Sequence, residues 1–274
     1  MLSLHTNNAA LSAQNSLSQT QGKLTTSMTR LSTGYRINSA SDDAAGLQIA
    51  TRLKAQTSGM ATAMRNTQNA TSMIQTAGGA LAEVKNMLIR MKDLATQAAD
   101  GASSTDDRTA LKAEFDDLKA EISNVVTNTT FAGTSLLKGG GFTAAVKFQI
   151  GATKAETMDV DVATKVGLID TGSAALTWND QTTANTMIEN TQKVIDTVSA
   201  VDSALGAAAN RLEHVHNNLA NISANTKAAT GRIMDTDFAT ESANMTTSQM
   251  LTQAGTAMLK QSNSMSSMVM SLLQ

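Results

Sequence analysis

The sequence contains no cysteine and no proline, and only 3% of its 274 residues are aromatic. Without cysteine there is no disulfide framework and no thiolate metal site. Without proline the commonest helix breaker is missing, so very long uninterrupted helices are permitted. With so few rings, Ala, Leu, Met, Val and Ile must fill the core, which is unlike most globular enzymes. The formal net charge is −2, which gives no electrostatic reason for a nucleic-acid partner. No apolar run approaches the length of a membrane span, so membrane insertion is not expected. The first residues, Met1 to His5, lack the basic and apolar regions of a cleaved secretory signal. A cytoplasmic protein, or one exported without a cleaved signal, is expected.

What remains is helix-forming sequence with a persistent three-four spacing of apolar residues. Leu4 and Leu11 lie seven apart, and Leu17, Leu24 and Leu31 repeat at seven. A helix is predicted from about Asn7 to Leu31, ended at Thr33 and Gly34, since glycine is the usual C-terminal cap. Residues 36–46 read as a connector, with Ser41 or Asp42 capping the next helix. Leu53, Met60, Thr67, Ile74, Leu81, Leu88 and Ala95 then repeat every seven, with Ala77, Val84, Met91 and Ala98 between. That is the seam of a coiled coil. Gly78 and Gly79 interrupt it and predict a bend or a close helix contact. Asp100 and Gly101 close the helix, and Thr105 to Asp107 cap the following one. Leu111, Phe115, Leu118, Ile122 and Val125 give that helix about 20 residues, packed antiparallel on its predecessor because the connection is short.

From residue 131 to 182 the pattern changes. Gly, Thr and Ser dominate, and residues 145–150 and 157–162 alternate with period two, as the strands of a hairpin do. Helical spacing resumes near Thr183 with Val194, Val198, Val201, Leu205, Ala208, Leu212, Val215, Leu219, Ile222, Thr226, Ala229 and Ile233. At 1.5 Å per residue this helix is roughly 70–75 Å long. Leu251, Ala254, Met258, Gln261, Met265, Met268 and Leu272 continue the spacing to the end. The fold class is therefore mainly α: a long antiparallel helical bundle or coiled coil with a small β-hairpin region in the middle.

Charge almost vanishes at both ends. No Asp, Glu, Lys or Arg precedes Lys23, and only Lys260 follows Glu241. A solvated helical face normally carries Lys and Glu. Ser, Thr, Asn and Gln in their place enter a crowded interior without the desolvation cost of a charge. Both ends are predicted to be surrounded by other helices, including those of neighbouring copies.

Residues 30–50, RLSTGYRINSASDDAAGLQIA, closely resemble the N-terminal segment of the bacterial flagellins. LIRMKDLATQ at 88–97 and NTTFAGTSLL at 128–137 resemble two further motifs of that family. RIMDTDFATE at 232–241, MLTQAGTAML at 250–259 and the ending SLLQ at 271–274 resemble its C-terminus. The resemblance implies a structural subunit of the flagellar filament, exported through the flagellar type III channel, with neither enzymatic activity nor a cofactor. It implies an inner coiled coil, D0, from residues 1–36 and 235–274. A D1 bundle would come from 37–130 and 183–234, with the β-rich 131–182 in place of outer domains. Leu4, Leu11, Leu17, Leu24, Leu31, Leu251, Ala254, Met258, Met265, Met268 and Leu272 are the expected inner-core contacts. Partners implied are further copies of the chain, the filament cap, junction proteins and an export chaperone. Arg90, Leu94 and Glu114 match positions that vertebrate Toll-like receptor 5 recognises, and subunit contact is their other reading. Residues 30–50 resemble the segment sensed by the plant flagellin receptor, with Ser41 where the recognised form usually has Lys. A hook–filament junction protein, with similar terminal helices, is the alternative.

No other motif carries chemistry. Asp42 and Asp43 read as a helix cap rather than an acid–base pair. His214 and His216 lie two apart, so they do not share a helix face. No HExxH, phosphate loop or nucleophile elbow occurs.

Overall fold

The computed structural model describes the backbone of residues 7–272 and the side chains of residues 7–264. Six helices dominate: α1 (Asn8–Thr33), α2 (Ala44–Ala98), α3 (Thr105–Asn128), α4 (Ala163–Ala174), α5 (Gln181–Met234) and α6 (Phe238–Leu272). Two short antiparallel hairpins, β1 (Thr130–Phe131) with β2 (Thr134–Ser135) and β3 (Val146–Gln149) with β4 (Thr157–Val160), lie between α3 and α4 in the sequence. The chain divides into two compact units, residues 56–224 and residues 1–55 with 225–274.

The unit of residues 56–224 is an antiparallel bundle of α2, α3 and α5. Direction follows from the cross-links. Thr67 meets His216, Lys92 meets Gln192 and Gln181 meets the carbonyl of Ala99, so α2 and α5 run oppositely. Arg90 meets Glu114 and Arg108 meets the carbonyl of Ala98, so α2 and α3 do too. The heptad positions read from the sequence of α2, from Met60 to Ala98, are all buried. Each large apolar side chain enclosed there contributes about 1.5–3 kcal/mol relative to exposure.

On α5 the expected seam holds from Val194 to Leu219, with Val215 half-buried. It departs only at Ile222, which is exposed while Ser223 is buried; Thr226, Ala229 and Ile233 are half-buried, as their spacing implied. α5 is also longer than expected. Its 54 residues give about 81 Å at 1.5 Å each.

Helix ends differ from expectation in detail. Ser104, rather than Thr105, caps α3. Its hydroxyl accepts from the amide of Asp107, whose carboxylate accepts in turn from the Ser104 backbone amide. This reciprocal box satisfies two otherwise unpaired donors. The hydroxyl and backbone amide of Ser104 hold the Asp107 carboxyl below its ordinary range. Asp180 caps α5 through the Thr183 amide.

The segment 131–182 holds more helix than its Gly, Thr and Ser content suggested. α4 buries Val166, Ile169 and Ser173 at three-four spacing. Just beyond it Trp178 is buried edge-on against Phe115, with ring centroids 6.2 Å apart and planes at 78°. The expected hairpin is present, with Val146 opposite Val160 and Gln149 opposite Thr157. It is seated on α2 at Gly59, where an added Cβ would lie 2.8 Å from the Cβ of Ala152. The smaller hairpin was not foreseen. Its two-residue turn, Ala132 and Gly133, has φ of 50° and 82°. Positive φ at both positions suits the right-handed twist of paired strands.

α2 runs unbroken from Ala44 to Ala98, through Gly78 and Gly79. A Cβ on Gly78 would stand 3.7 Å from Asp202 Oδ1, an ordinary contact, and one on Gly79 would meet nothing within 4 Å. Glycine therefore costs helix stability at Gly79 without a packing reason. Gly79→Ala is expected to stabilise the chain by ~0.5–1 kcal/mol, read as a higher urea midpoint of the unpolymerised protein. An unchanged or lower midpoint contradicts this.

Candidate functional site

The terminal helices α1 and α6 pair antiparallel. The Asn7 side-chain amide donates to the carbonyl and hydroxyl of Ser262 at one end, and Arg30 faces Glu241 at 3.8 Å towards the other. Asn7 also caps α1 by accepting from the amide of Ala10. Asp237 opens α6, accepting from the amides of Ala239 and Thr240 and from the Thr240 hydroxyl. The bond from the Thr240 hydroxyl, followed by those backbone bonds, lowers the Asp237 pKa from its ordinary value.

The shielded positions form a narrow strip. On α1 they include Ala10, Ala13, Leu17, Thr20, Leu24 and Ser27; on α6, Glu241, Met245, Ser248, Thr252, Gly255 and Leu259. Both sets step by three and four, as a two-helix seam requires. Small and hydroxylated residues predominate, which lets the backbones come close. Leu17 lies over Gly255, where an added Cβ would stand 3.3 Å from Leu17 Cδ1.

The strip corrects the expected seam. Leu17, Leu24 and Leu31 are half-buried in it, as their spacing implied, but Leu11 faces outward. On α6 the seam falls one residue later than expected, at Thr252, Gly255 and Leu259. Leu251, Ala254 and Met258 are consequently exposed, at 55% for Leu251 and 66% for Met258. The physical reason is the fit of Leu17 to Gly255, which places the smallest residue of the segment against α1. Leu4 lies outside the described residues, and so do the side chains of Met265, Met268 and Leu272.

The covered strip is the lesser part of both helices. Among the described residues only Ser27 is buried in α1, and only Glu241 and Ser248 in α6. Leu11, Met28, Phe238, Met250, Leu251 and Met258 stand in solvent. Charge is nearly absent from the same surfaces: Lys23 and Arg30 on α1, Glu241 and Lys260 on α6. Exposed apolar surface on this scale, without charge, marks an interaction face.

The ends of the two helices are tied together. Gly34 terminates α1 with φ 74°, its amide donating to the carbonyl of Arg30. Its carbonyl accepts from the amide of Thr236, and the Arg36 amide donates to Met234. The Arg36 guanidinium donates to the carbonyl of Ile233 at 2.8 Å. The breaks after α1 and before α6 therefore form one joint.

The connector 35–43 is ordered by its two aspartates, with roles other than those expected. Asp43, not Ser41 or Asp42, caps α2 by accepting from the amide of Gly46. Asp42 accepts from the amides of Asn38 and Ser39 and from the Ser39 hydroxyl. Backbone bonds from Ser39 and Asn38, then the Ser39 hydroxyl, hold its carboxyl below the usual range. Gly46 is needed here, since a Cβ would press into the Asp43 carboxylate and Ile37.

The second candidate surface is on α2 and α3. Arg90 Nη2 and Nε donate to Glu114 Oε1 at 2.6 and 2.8 Å. Both side chains are about half exposed, so the pair contributes at most ~1 kcal/mol and leaves both charged groups accessible. Leu94 is different. It is fully enclosed in the core, and its expected role as a contact for a receptor is corrected on that ground. Exposed Ile89, next to Arg90, is the apolar neighbour that spacing arguments passed over.

Among the described residues no cluster of His, Cys, Asp or Glu could hold an ion, and no helix is long and apolar enough to cross a membrane. His216 Nδ1 lies 3.3 Å from the Thr67 hydroxyl, whose proton goes to the Met64 carbonyl.

Comparison with known proteins follows the same two ends. Residues 4–141 match the bacterial flagellin N-terminal helical region, and residues 183–273 the bacterial flagellin C-terminal helical region. A flagellin of Halalkalibacterium halodurans is 42% identical over 249 residues, covering 90% of each chain. The solved structure of Bacillus cereus flagellin is 32% identical, with a TM-score of 0.50, over 57% of this chain and 88% of that one. A putative flagellar hook-associated protein from Vibrio parahaemolyticus has a TM-score of 0.57 at 16% identity, over 71% of this chain and all of that one. At that identity the likeness is one of fold alone.

Proposed function

The chain belongs to the bacterial flagellin family, as a short member without large outer domains and a structural subunit of the flagellar filament, and from that premise we propose how its surfaces serve assembly. The strip between α1 and α6 holds the terminal pair together within one chain. The outward faces, with Leu11, Met28, Met250, Leu251 and Met258, are the contacts between copies in the inner core. One observation carries this reading: large apolar side chains exposed on two almost uncharged helices. Burying them between copies supplies the free energy of polymerisation, and a helical repeat of one such contact gives an open filament.

Polar, uncharged residues on the remaining surface of α1 and α6 suit this role. They tolerate crowding by neighbours at far lower cost than Lys or Glu. Export through the flagellar type III channel, capture by an export chaperone, and placement beneath the filament cap and next to junction proteins follow from the same family reading. A hook–filament junction role is disfavoured, because sequence identity of 42% over 90% of the chain is to a flagellin.

Arg90 and Glu114 are proposed as a recognition surface for Toll-like receptor 5 on the unpolymerised chain, with Ile89 in place of buried Leu94 as the apolar contact. The planar fork of the guanidinium offers paired hydrogen bonds that Lys does not reproduce. Residues 30–50 are proposed as the segment presented to the plant receptor, with Ser41 standing where the recognised form usually has Lys.

Met258→Asp and Leu251→Asp are each expected to abolish seeded polymerisation while leaving the circular dichroism of the monomer unchanged, because either puts a charge into the contact between copies. Normal filaments from Met258→Asp contradict the reading. Arg90→Ala is expected to weaken receptor signalling by the monomer about tenfold, the effect of losing a charge-assisted bond. Unchanged signalling at matched concentration contradicts the receptor surface.

A further inference from the structure

The methionines differ widely in exposure. Of the 16 in the sequence, Met60, Met91, Met158 and Met187 are buried in the unit of residues 56–224. Among the described residues the strongly exposed ones are Met28 on α1 and Met250 and Met258 on α6. Met250 and Met258 are 59% and 66% exposed and flank Leu251 on the outward face. Thioethers react with two-electron oxidants in proportion to their exposure, and the product is polar where the reactant was apolar.

We propose that Met250 and Met258, with Met28, are oxidation sites that decide whether a subunit can enter the filament: peroxide converts them to sulfoxides on the free chain, and a chain so modified is excluded from assembly. The proposal rests on the filament reading above. The chemistry is self-contained once a peroxide is present. A sulfur lone pair attacks one peroxide oxygen, an S–O bond forms and the O–O bond breaks. The departing hydroxide takes the proton from the transferred oxygen and leaves as water. Sulfur is oxidised by two electrons and peroxide is reduced by two.

The sulfoxide oxygen is a strong hydrogen-bond acceptor. On the exposed monomer it is solvated by water. Enclosed between copies beside Leu251, it gives up that water at a cost the thioether does not carry. Assembly therefore protects the same sulfurs that oxidation would disable, and only chains outside the filament are vulnerable. A methionine sulfoxide reductase reverses the change, which makes the modification a switch rather than damage alone.

The test uses the full chain. Monomer is treated with hydrogen peroxide to about one sulfoxide per chain, then offered to sonicated filament seeds. Filament and supernatant are separated, and each methionine is read by peptide mass spectrometry. The expected result is sulfoxide at Met250 and Met258 depleted about tenfold from the filament fraction, with Met91 and Met158 unoxidised throughout. Treatment of the supernatant with the reductase should restore its polymerisation. A Met250→Leu, Met258→Leu double variant should polymerise normally, keeping the volume and apolarity of the site. After the same dose, a larger share of it than of the wild type should enter filaments. Equal partition of the two sulfoxides between fractions overturns the proposal, as does earlier oxidation of Met91 or Met158. Untreated monomer that fails to extend seeds would overturn the filament reading itself, a result distinct from either.

Discussion

Two helices laid side by side can cover only one face of each. That limit governs the terminal pair. α1 and α6 spend their small residues, Ser27, Ser248 and Gly255, on the single contact available within one chain. Their larger apolar residues are left on the outside. A protein that ended at the monomer would place these side chains inward and surround them with charge. This chain does the reverse, so its lowest free energy lies in a state where further helices cover what α1 and α6 cannot cover for each other.

The bundle of α2, α3 and α5 is organised differently. Three helices enclose a seam from several sides, and positions from Met60 to Ala98 are buried without help from another copy. Charged side chains accordingly return to its surface, as in Arg90–Glu114, Lys112–Asp116 and Glu189–Lys193. The contrast between the two units is thus one of how many helices are available to each. It appears in the sequence as a difference in charge density long before any contact is known.

Much of this was legible from spacing. Heptads placed the α2 seam residue by residue from Met60 to Ala98, where the helix is packed on its apolar stripe; Leu53, the first position expected, is only half-buried. The same rule misplaced the α6 seam by one position. Periodicity finds stripes, but α6 carries two that are adjacent, Leu251–Met258 and Thr252–Gly255–Leu259, and apolarity favoured the wrong one. Close packing against Leu17 selected the stripe with glycine. Likewise Leu94 sits beside Arg90 in a family motif, yet motif membership says nothing about which way a side chain points. α4 was missed because glycine and threonine masked the three-four spacing of Val166, Ile169 and Ser173. The turn at Ala132 was missed because an alanine with positive φ carries no local signal.

The central claim is that α1 and α6 lack most of their burial until copies assemble. Hydrogen–deuterium exchange compared between monomer and filament tests it most directly. The account predicts rapid amide exchange along both helices in the monomer, strong protection of both in the filament, and nearly equal protection of the α2 seam in the two states. Equal protection of α1 and α6 in monomer and filament would contradict it.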